Sequence, residues 1–306
     1  MCLERIKIML ERYVIHVNKE CNMSCIYCYE KDKTSKYNTA EVVDTALKLA
    51  EGCLAPTFGI EFLGGEPMLA FKTIKAVYEA LENKYPNRVQ DYGITTNGTI
   101  LTDEQLEYLK NNPKIFYAVS LDGTKWANQL RVFKNGINSF EIAKANIEKA
   151  IKILGADRVS VHMVTHLYNV GSIYNSVKCI YQMGVRSIGV GTVESTIKID
   201  IQYCNRFVKE LLEVSKSIKN NTFAGLHIDL FNNAKPKEDV RHYIKDPVTG
   251  KTIGESYGRA KNSVIASDVY DSRVVHSDLE GAIISLRECV YKNHWVIMNG
   301  DINFAS

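Results

Sequence analysis

Between roughly residues 12 and 218, short runs rich in β-branched and aromatic residues alternate six times with longer segments of helical spacing, and no other feature of the sequence restricts the fold as tightly. The runs at 13–18, 59–63, 92–95, 116–121, 159–164 and 187–191 read as strands, and the segments at 39–52, 71–84, 103–110, 139–154, 171–183 and 201–218 read as helices. In the first helix Val42, Val43, Ala46, Leu47 and Ala50 recur at helical spacing behind Thr39. Parallel neighbouring strands need a long crossover between them, and helices of this length supply it. The expected fold class is α/β, a (β/α)6 partial TIM barrel over about residues 12–218.

From Lys219 onward the rhythm gives way to polar, turn-rich sequence (219–225 KNNTFAG, 232–239 NNAKPKED, 245–256 KDPVTGKTIGES). This divides the chain into a core over 1–218 and a C-terminal extension over 219–306. The 306 residues are 45% hydrophobic and 24% charged, enough for a well-buried core rather than a disordered chain. The net charge is only +3, with basic and acidic residues interspersed, so neither a nucleic-acid nor a membrane partner is expected. No apolar stretch approaches the ~20 residues of a membrane-crossing helix. Eight cysteines without a signal peptide argue for reduced thiols in the cytoplasm rather than a disulfide framework.

Three of those cysteines, Cys21, Cys25 and Cys28, cluster in the loop directly after the first strand. Three thiolates are one short of the four that an iron-sulfur cluster usually takes from protein, and an iron left open is a reactive iron. A structural zinc site completed by His16 or another side chain, or a metal-free loop, are the blander alternatives; no second ligand pair favours zinc. Further motifs follow the next strands: Gly64-Gly65-Glu66-Pro67 after the second, Thr95-Thr96-Asn97-Gly98-Thr99 after the third, and Ser120-Leu121-Asp122-Gly123 after the fourth. The glycine pair lets backbone approach a ligand closely, and the carboxyl ends of strands are where barrel enzymes place their ligand-binding groups. Thr192 and Glu194, after the sixth strand, could face a substrate.

The CxxxCxxC spacing after the first strand of a βα repeat, with Tyr27 just before the last cysteine, resembles the signature of the radical S-adenosylmethionine superfamily, in its peptide- and protein-modifying branch of SPASM, twitch and sulfatase-maturase type. The resemblance implies a 4Fe-4S cluster on Cys21, Cys25 and Cys28, with the amine and carboxylate of S-adenosyl-L-methionine on the fourth iron. It implies Tyr27 against the adenine, and Gly64, Gly65 and Glu66 at the methionine moiety with Glu66 near the amino group. Ser120 would meet the ribose and Arg131 the cofactor carboxylate; Thr96, Asn97 and Asp122 join the cofactor-binding residues on the same ground.

Cys289 and the segment 294–302, with Asn299-Gly300 as a hairpin turn, resemble a remnant of the C-terminal extension that carries auxiliary clusters in that branch. No cysteine follows the hairpin, so the auxiliary site is lost, or the sequence is a shortened version of a longer protein, or Cys2, Cys53, Cys179 or Cys204 supply ligands. Cys53, Cys179 and Cys204 fall in or at the end of helical segments and read more simply as small apolar residues.

The family's chemistry implies an electron from a reductant such as flavodoxin or ferredoxin, reductive cleavage of S-adenosylmethionine, and hydrogen abstraction by the 5'-deoxyadenosyl radical. The expected substrate is a peptide or protein side chain, as for a maturase of ribosomal peptides. The alternatives are a small molecule such as an amino acid or nucleoside, and a non-catalytic cofactor-binding scaffold. Asp122, Asp301 and Tyr257 are conceivable proton or hydrogen donors that fit turn or surface positions equally well.

Overall fold

The computed structural model describes residues 12–53, 56–193 and 201–229, together with the backbone of strands at 241–245, 252–257, 262–264, 295–298 and 301–304. Six parallel strands follow one another in chain order: β1 (Arg12–His16), β2 (Phe58–Leu63), β3 (Val89–Thr96), β4 (Ile115–Ser120), β5 (Val159–Thr165) and β6 (Ser187–Thr192). Between and after them lie α1 (Thr39–Gly52), α2 (Phe71–Lys84), α3 (Asp103–Asn111), α4 (Phe140–Leu154), α5 (Ile173–Gln182) and α6 (Ile201–Lys219). The expected α/β class and open, partial-barrel order are what the chain adopts.

The period-2 pattern decides which side of each strand meets the helices. Phe58, Ile60 and Phe62 of β2, Tyr92 and Ile94 of β3, and Tyr117 and Val119 of β4 are all buried outward, in one continuous core with the helices. The helices answer at their own period: Val42, Ala46 and Ala50 on α1, Ile74, Val77 and Leu81 on α2, and Ala143, Ile147 and Ala150 on α4. Each buried Val, Leu or Ile contributes roughly 1.5–3 kcal/mol, and each alanine methyl less than about 1 kcal/mol. Helix starts are fixed locally: Asn38 caps α1 through the Ala40 N–H, and Thr102 and Gln105 form a reciprocal capping box on α3.

The structure differs from the sequence pattern at two places. β3 begins at Val89, before the apolar run, because Val89 pairs with Phe58 at the start of β2, and Asp91 beyond it is held by Arg12 of β1. The sheet also continues past residue 218, where the two-residue strand β7 (His227–Ile228) pairs parallel with β6. At the other edge β10 (Asn262–Val264) pairs parallel with β1 and continues antiparallel to β9 (Thr252–Tyr257) and β8 (Arg241–Lys245). The expected C-terminal hairpin is present as β11 (Trp295–Met298) and β12 (Asp301–Phe304), with Met298 opposite Asp301. Cys53 is buried in the core and Cys179 packs against it. Cys2, Glu194, Cys289 and the turn Asn299-Gly300 lie outside the described residues, as do the side chains of Cys204, Tyr257 and Asp301.

Candidate active site

The loop that leaves β1 is fastened along its length by backbone hydrogen bonds. Val17 N–H donates to the Leu63 carbonyl at 2.9 Å, carrying the β1–β2 ladder one step further. Lys19 and Glu20 donate to Ser35 at 2.9 Å, and Cys21 donates to Lys33 at 3.2 Å. On the far side Ser24 donates to Val132 at 2.8 Å and Ile26 to Leu130 at 3.0 Å, while a tight turn closes from Cys28 to the Cys25 carbonyl at 3.1 Å. A loop with so many satisfied backbone groups holds its three thiols in place before any metal arrives. Cys21 is buried, and Cys25 and Cys28 are half-buried.

The Gly64-Gly65-Glu66 segment presses on the entry to that loop. A Cβ on Gly65 would stand 2.1 Å from the Lys19 carbonyl oxygen, so only glycine lets the two backbones meet. Gly65 N–H then reaches Asn18 at 3.1 Å and Glu66 N–H reaches Glu20 at 2.8 Å. The Glu66 carboxyl turns away from the cavity and is fully buried. It accepts from Met68 N–H at 2.9 Å, from the Thr96 hydroxyl at 2.5 Å and from Asn97 N–H at 2.7 Å. Asn97 in turn donates to Asn22 at 2.9 Å and lies 4.0 Å from Cys21 Sγ, linking the loop after β3 to the cysteines. Burial raises the Glu66 pKa to about 7 against the pull of its three hydrogen bonds.

Asp122, also buried, organises the opposite wall. It accepts from Arg131 Nε at 2.9 Å, from Val164 N–H at 3.1 Å and from the Tyr27 hydroxyl. The Arg131 guanidinium lies 5.3 Å over the Tyr27 ring, a cation–π contact, and His166 flanks that ring at 6.0 Å. The Arg131 Nη groups make no hydrogen bond among the described residues, although the residue is only 7% exposed.

These walls enclose a cavity of about 220 Å³. Cys21, Cys25, Cys28 and Tyr27 line it from the cysteine loop, Gly64 and Gly65 from the loop after β2, Thr96 and Asn97 from the loop after β3, and Ser120 and Arg131 from the far wall. Glu66 and Asp122 stand behind the wall rather than in it. Thr192 lies at the rim of the same cavity. Lys33, Tyr29, Glu30 and Val164 also line it; no motif marks them, and only the proximity of the first three to Cys28 could have pointed to them.

The donor set fits an iron-sulfur cluster with an open coordination position. Three thiols line one cavity, and they are one short of the four that a cluster usually takes from protein. A cluster takes each thiolate at a separate iron, which leaves the fourth iron open to a small molecule. Burial pushes the Cys21 thiol up to about 11 and raises that of Cys25, so metal ligation would release their protons. Beside the thiols, the free Nη donors of Arg131 match a carboxylate. Among the described residues no helix is long and apolar enough to cross a membrane.

Comparison with known proteins agrees with this geometry. The chain is 28% identical over 223 residues to an uncharacterized protein of Methanocaldococcus jannaschii, covering 69% of this chain and 74% of that one. It is 28% identical to the cysteine-type anaerobic sulfatase-maturating enzyme of Clostridium novyi over 48% of this chain and 41% of the relative. It is 27% identical to a probable GTP 3',8-cyclase of Methanococcus maripaludis over 47% of this chain and 46% of the relative. The chain thus spans less than half the length of the maturase and of the cyclase. In fold it resembles native anSMEcpe with bound AdoMet and Cp18Cys peptide, at a TM-score of 0.63 and 16% identity over 72% of this chain and 64% of that one. The model of the Radical SAM superfamily matches residues 15–180, more than half of the sequence, and the chain therefore belongs to that superfamily of enzymes.

Proposed function

We propose that the chain carries a 4Fe-4S cluster on Cys21, Cys25 and Cys28, binds S-adenosylmethionine beside it, and acts on a side chain of a peptide or protein. The observation that carries this reading is the one cavity lined together by Cys21, Cys25, Cys28, Arg131, Gly64 and Gly65. When bound, the cluster and S-adenosylmethionine supply a 5'-deoxyadenosyl radical that takes hydrogen from the substrate. The protein's part is to hold and orient. Arg131, pinned at Nε by Asp122, offers a planar fork to the cofactor carboxylate. Tyr27, fixed through its hydroxyl, gives the adenine an aromatic wall, and Ser120 offers a hydroxyl to the ribose. Glu66 acts from behind, holding Thr96 and Asn97 against the loop of the cysteines.

The peptide reading is supported by the maturase relative and by the peptide carried in the structure of similar fold. The cyclase relatives favour a second reading, a nucleotide substrate. In either case the electron comes from a flavodoxin or ferredoxin, and the reduced thiols suit a cytoplasmic setting. The test is anaerobic reconstitution, with iron counted per chain and 5'-deoxyadenosine measured after dithionite and S-adenosylmethionine. About four irons, and deoxyadenosine from wild type but not from Cys25→Ala, are expected. Zinc in place of iron, or no cleavage by a fully loaded wild type, would overturn the reading. Parallel arms with GTP and with a mixture of cysteine- and serine-containing peptides separate the substrates: a peptide mass change supports the first reading, and consumption of GTP the second.

A further inference from the structure

Lys33 lines the cavity and carries a charge that none of the motifs explains. Two contacts fix it: its carbonyl accepts from Cys21 N–H at 3.2 Å, and its Nζ donates to the Met23 carbonyl at 3.3 Å. Among the described residues no carboxylate pairs with it, whereas the other cation on the cavity wall, Arg131, is matched by Asp122 at 2.9 Å. Held on the carbonyl of Met23, which lies between Cys21 and Cys25 in the chain, the ammonium sits inside the cysteine loop and on the wall of the cavity that all three thiols line. Lys33 therefore brings to the thiol-lined cavity a positive charge that no ion pair among the described residues neutralises.

We propose that Lys33 is an electrostatic positioning residue of this site, whose fixed positive charge stabilises the reduced state of an iron-sulfur cluster held by Cys21, Cys25 and Cys28. This rests on the reading that these thiols hold such a cluster. Cluster potentials follow net charge, hydrogen bonding and exposure. Reduction adds one electron, makes and breaks no bond, and places further negative charge in a half-buried site where a neighbouring cation is weakly screened.

Charge and loop-fastening can be separated by substitution. The backbone bond to Cys21 does not depend on the side chain, Lys33→Gln keeps a donor for the Met23 carbonyl without the charge, and Lys33→Arg keeps the charge. Wild type and the full-chain variants Lys33→Gln, Lys33→Arg and Lys33→Met, the last lacking both charge and donor, are reconstituted anaerobically, assayed for iron and sulfide, and titrated with dithionite while the reduced cluster is followed by EPR. Fully loaded Lys33→Gln is expected to be about tenfold harder to reduce, a shift of about 59 mV to more negative potential for one electron, with Lys33→Arg close to wild type. A loaded Lys33→Gln at the wild-type potential, or a Lys33→Arg displaced as far as Lys33→Gln, would overturn the proposal. So would loss of iron from both Lys33→Gln and Lys33→Met, which would make Lys33 a tie for loop assembly. A wild type that binds no iron sinks the cluster reading and this proposal together, whereas a loaded wild type beside an unshifted Lys33→Gln sinks only the role of Lys33.

Discussion

Two buried carboxylates stand behind opposite walls of the cavity, and they are held in opposite ways. Asp122 meets a cation, Arg131, at 2.9 Å, as well as the Tyr27 hydroxyl and the Val164 N–H. Among the described residues Glu66 meets only neutral donors, the Thr96 hydroxyl and the N–H groups of Met68 and Asn97. The first arrangement fixes a charged donor toward the cavity; the second fixes a turn. A buried carboxylate without a counter-ion pays for desolvation by holding its proton more tightly, which is why Glu66 titrates near neutrality. The two walls should therefore differ both in how much their acids stabilise the fold and in how they respond to pH.

The largest expected effect is at Asp122. Asp122→Ala leaves the Arg131 guanidinium buried without its partner, and breaking such a pair costs about 3–5 kcal/mol. Denaturant unfolding of the reconstituted protein measures this, and S-adenosylmethionine affinity should fall with it because the guanidinium fork loses its anchor. A loss below about 1 kcal/mol, the level of an exposed pair, would break the contrast with Glu66.

Glu66→Gln comes next. Its amide keeps one acceptor for Met68 and Thr96 but sets an NH2 against the Asn97 N–H, at a cost of about 1–3 kcal/mol. The sign of the pH dependence follows from the raised pKa. The unfolded chain releases this proton near 4.5 and the folded chain near 7, so the folded state binds more protons between those values. Wild-type stability therefore falls as pH rises from about 4.5 to about 7, and the glutamine variant lacks this decline. In thermal melts at constant ionic strength the gap between the two should shrink across that window. A constant gap would mean that Glu66 is ionised throughout.

How far the sequence leads depends on whether an element's partners are local. The outward faces of the strands and the inward faces of the helices were legible because period 2 and period 3.6 are written in neighbouring residues, as in Phe58, Ile60 and Phe62 or Val42, Ala46 and Ala50. The cysteine loop was legible from spacing. The placement of Glu66 and Asp122 behind the cavity was not, since Thr96 lies 30 residues from Glu66 and Val164 lies 42 from Asp122. Lys33 gave no signal, because its interest comes from a cavity assembled from the ends of six strands and the loops that follow them. β7, at two residues, is too short to show any period. The early start of β3 was hidden for a related reason: Gln90 and Asp91 interrupt the apolar run, and the group that holds Asp91 comes from β1.

The smallest effect tests which contact organises the Asp122 wall. Tyr27→Phe removes the hydroxyl that donates to Asp122 but leaves the ring, with Arg131 5.3 Å above it and His166 6.0 Å to its side. Asp122 keeps its two other partners, so the loss should be about 1 kcal/mol, that of one ordinary hydrogen bond. The same unfolding measurement used for Asp122→Ala decides the matter. If Tyr27→Phe costs as much as Asp122→Ala, the wall is organised by the tyrosine rather than by the ion pair. The two buried carboxylates would then both be holders of neutral groups, and the difference between the walls would have to come from Arg131 alone.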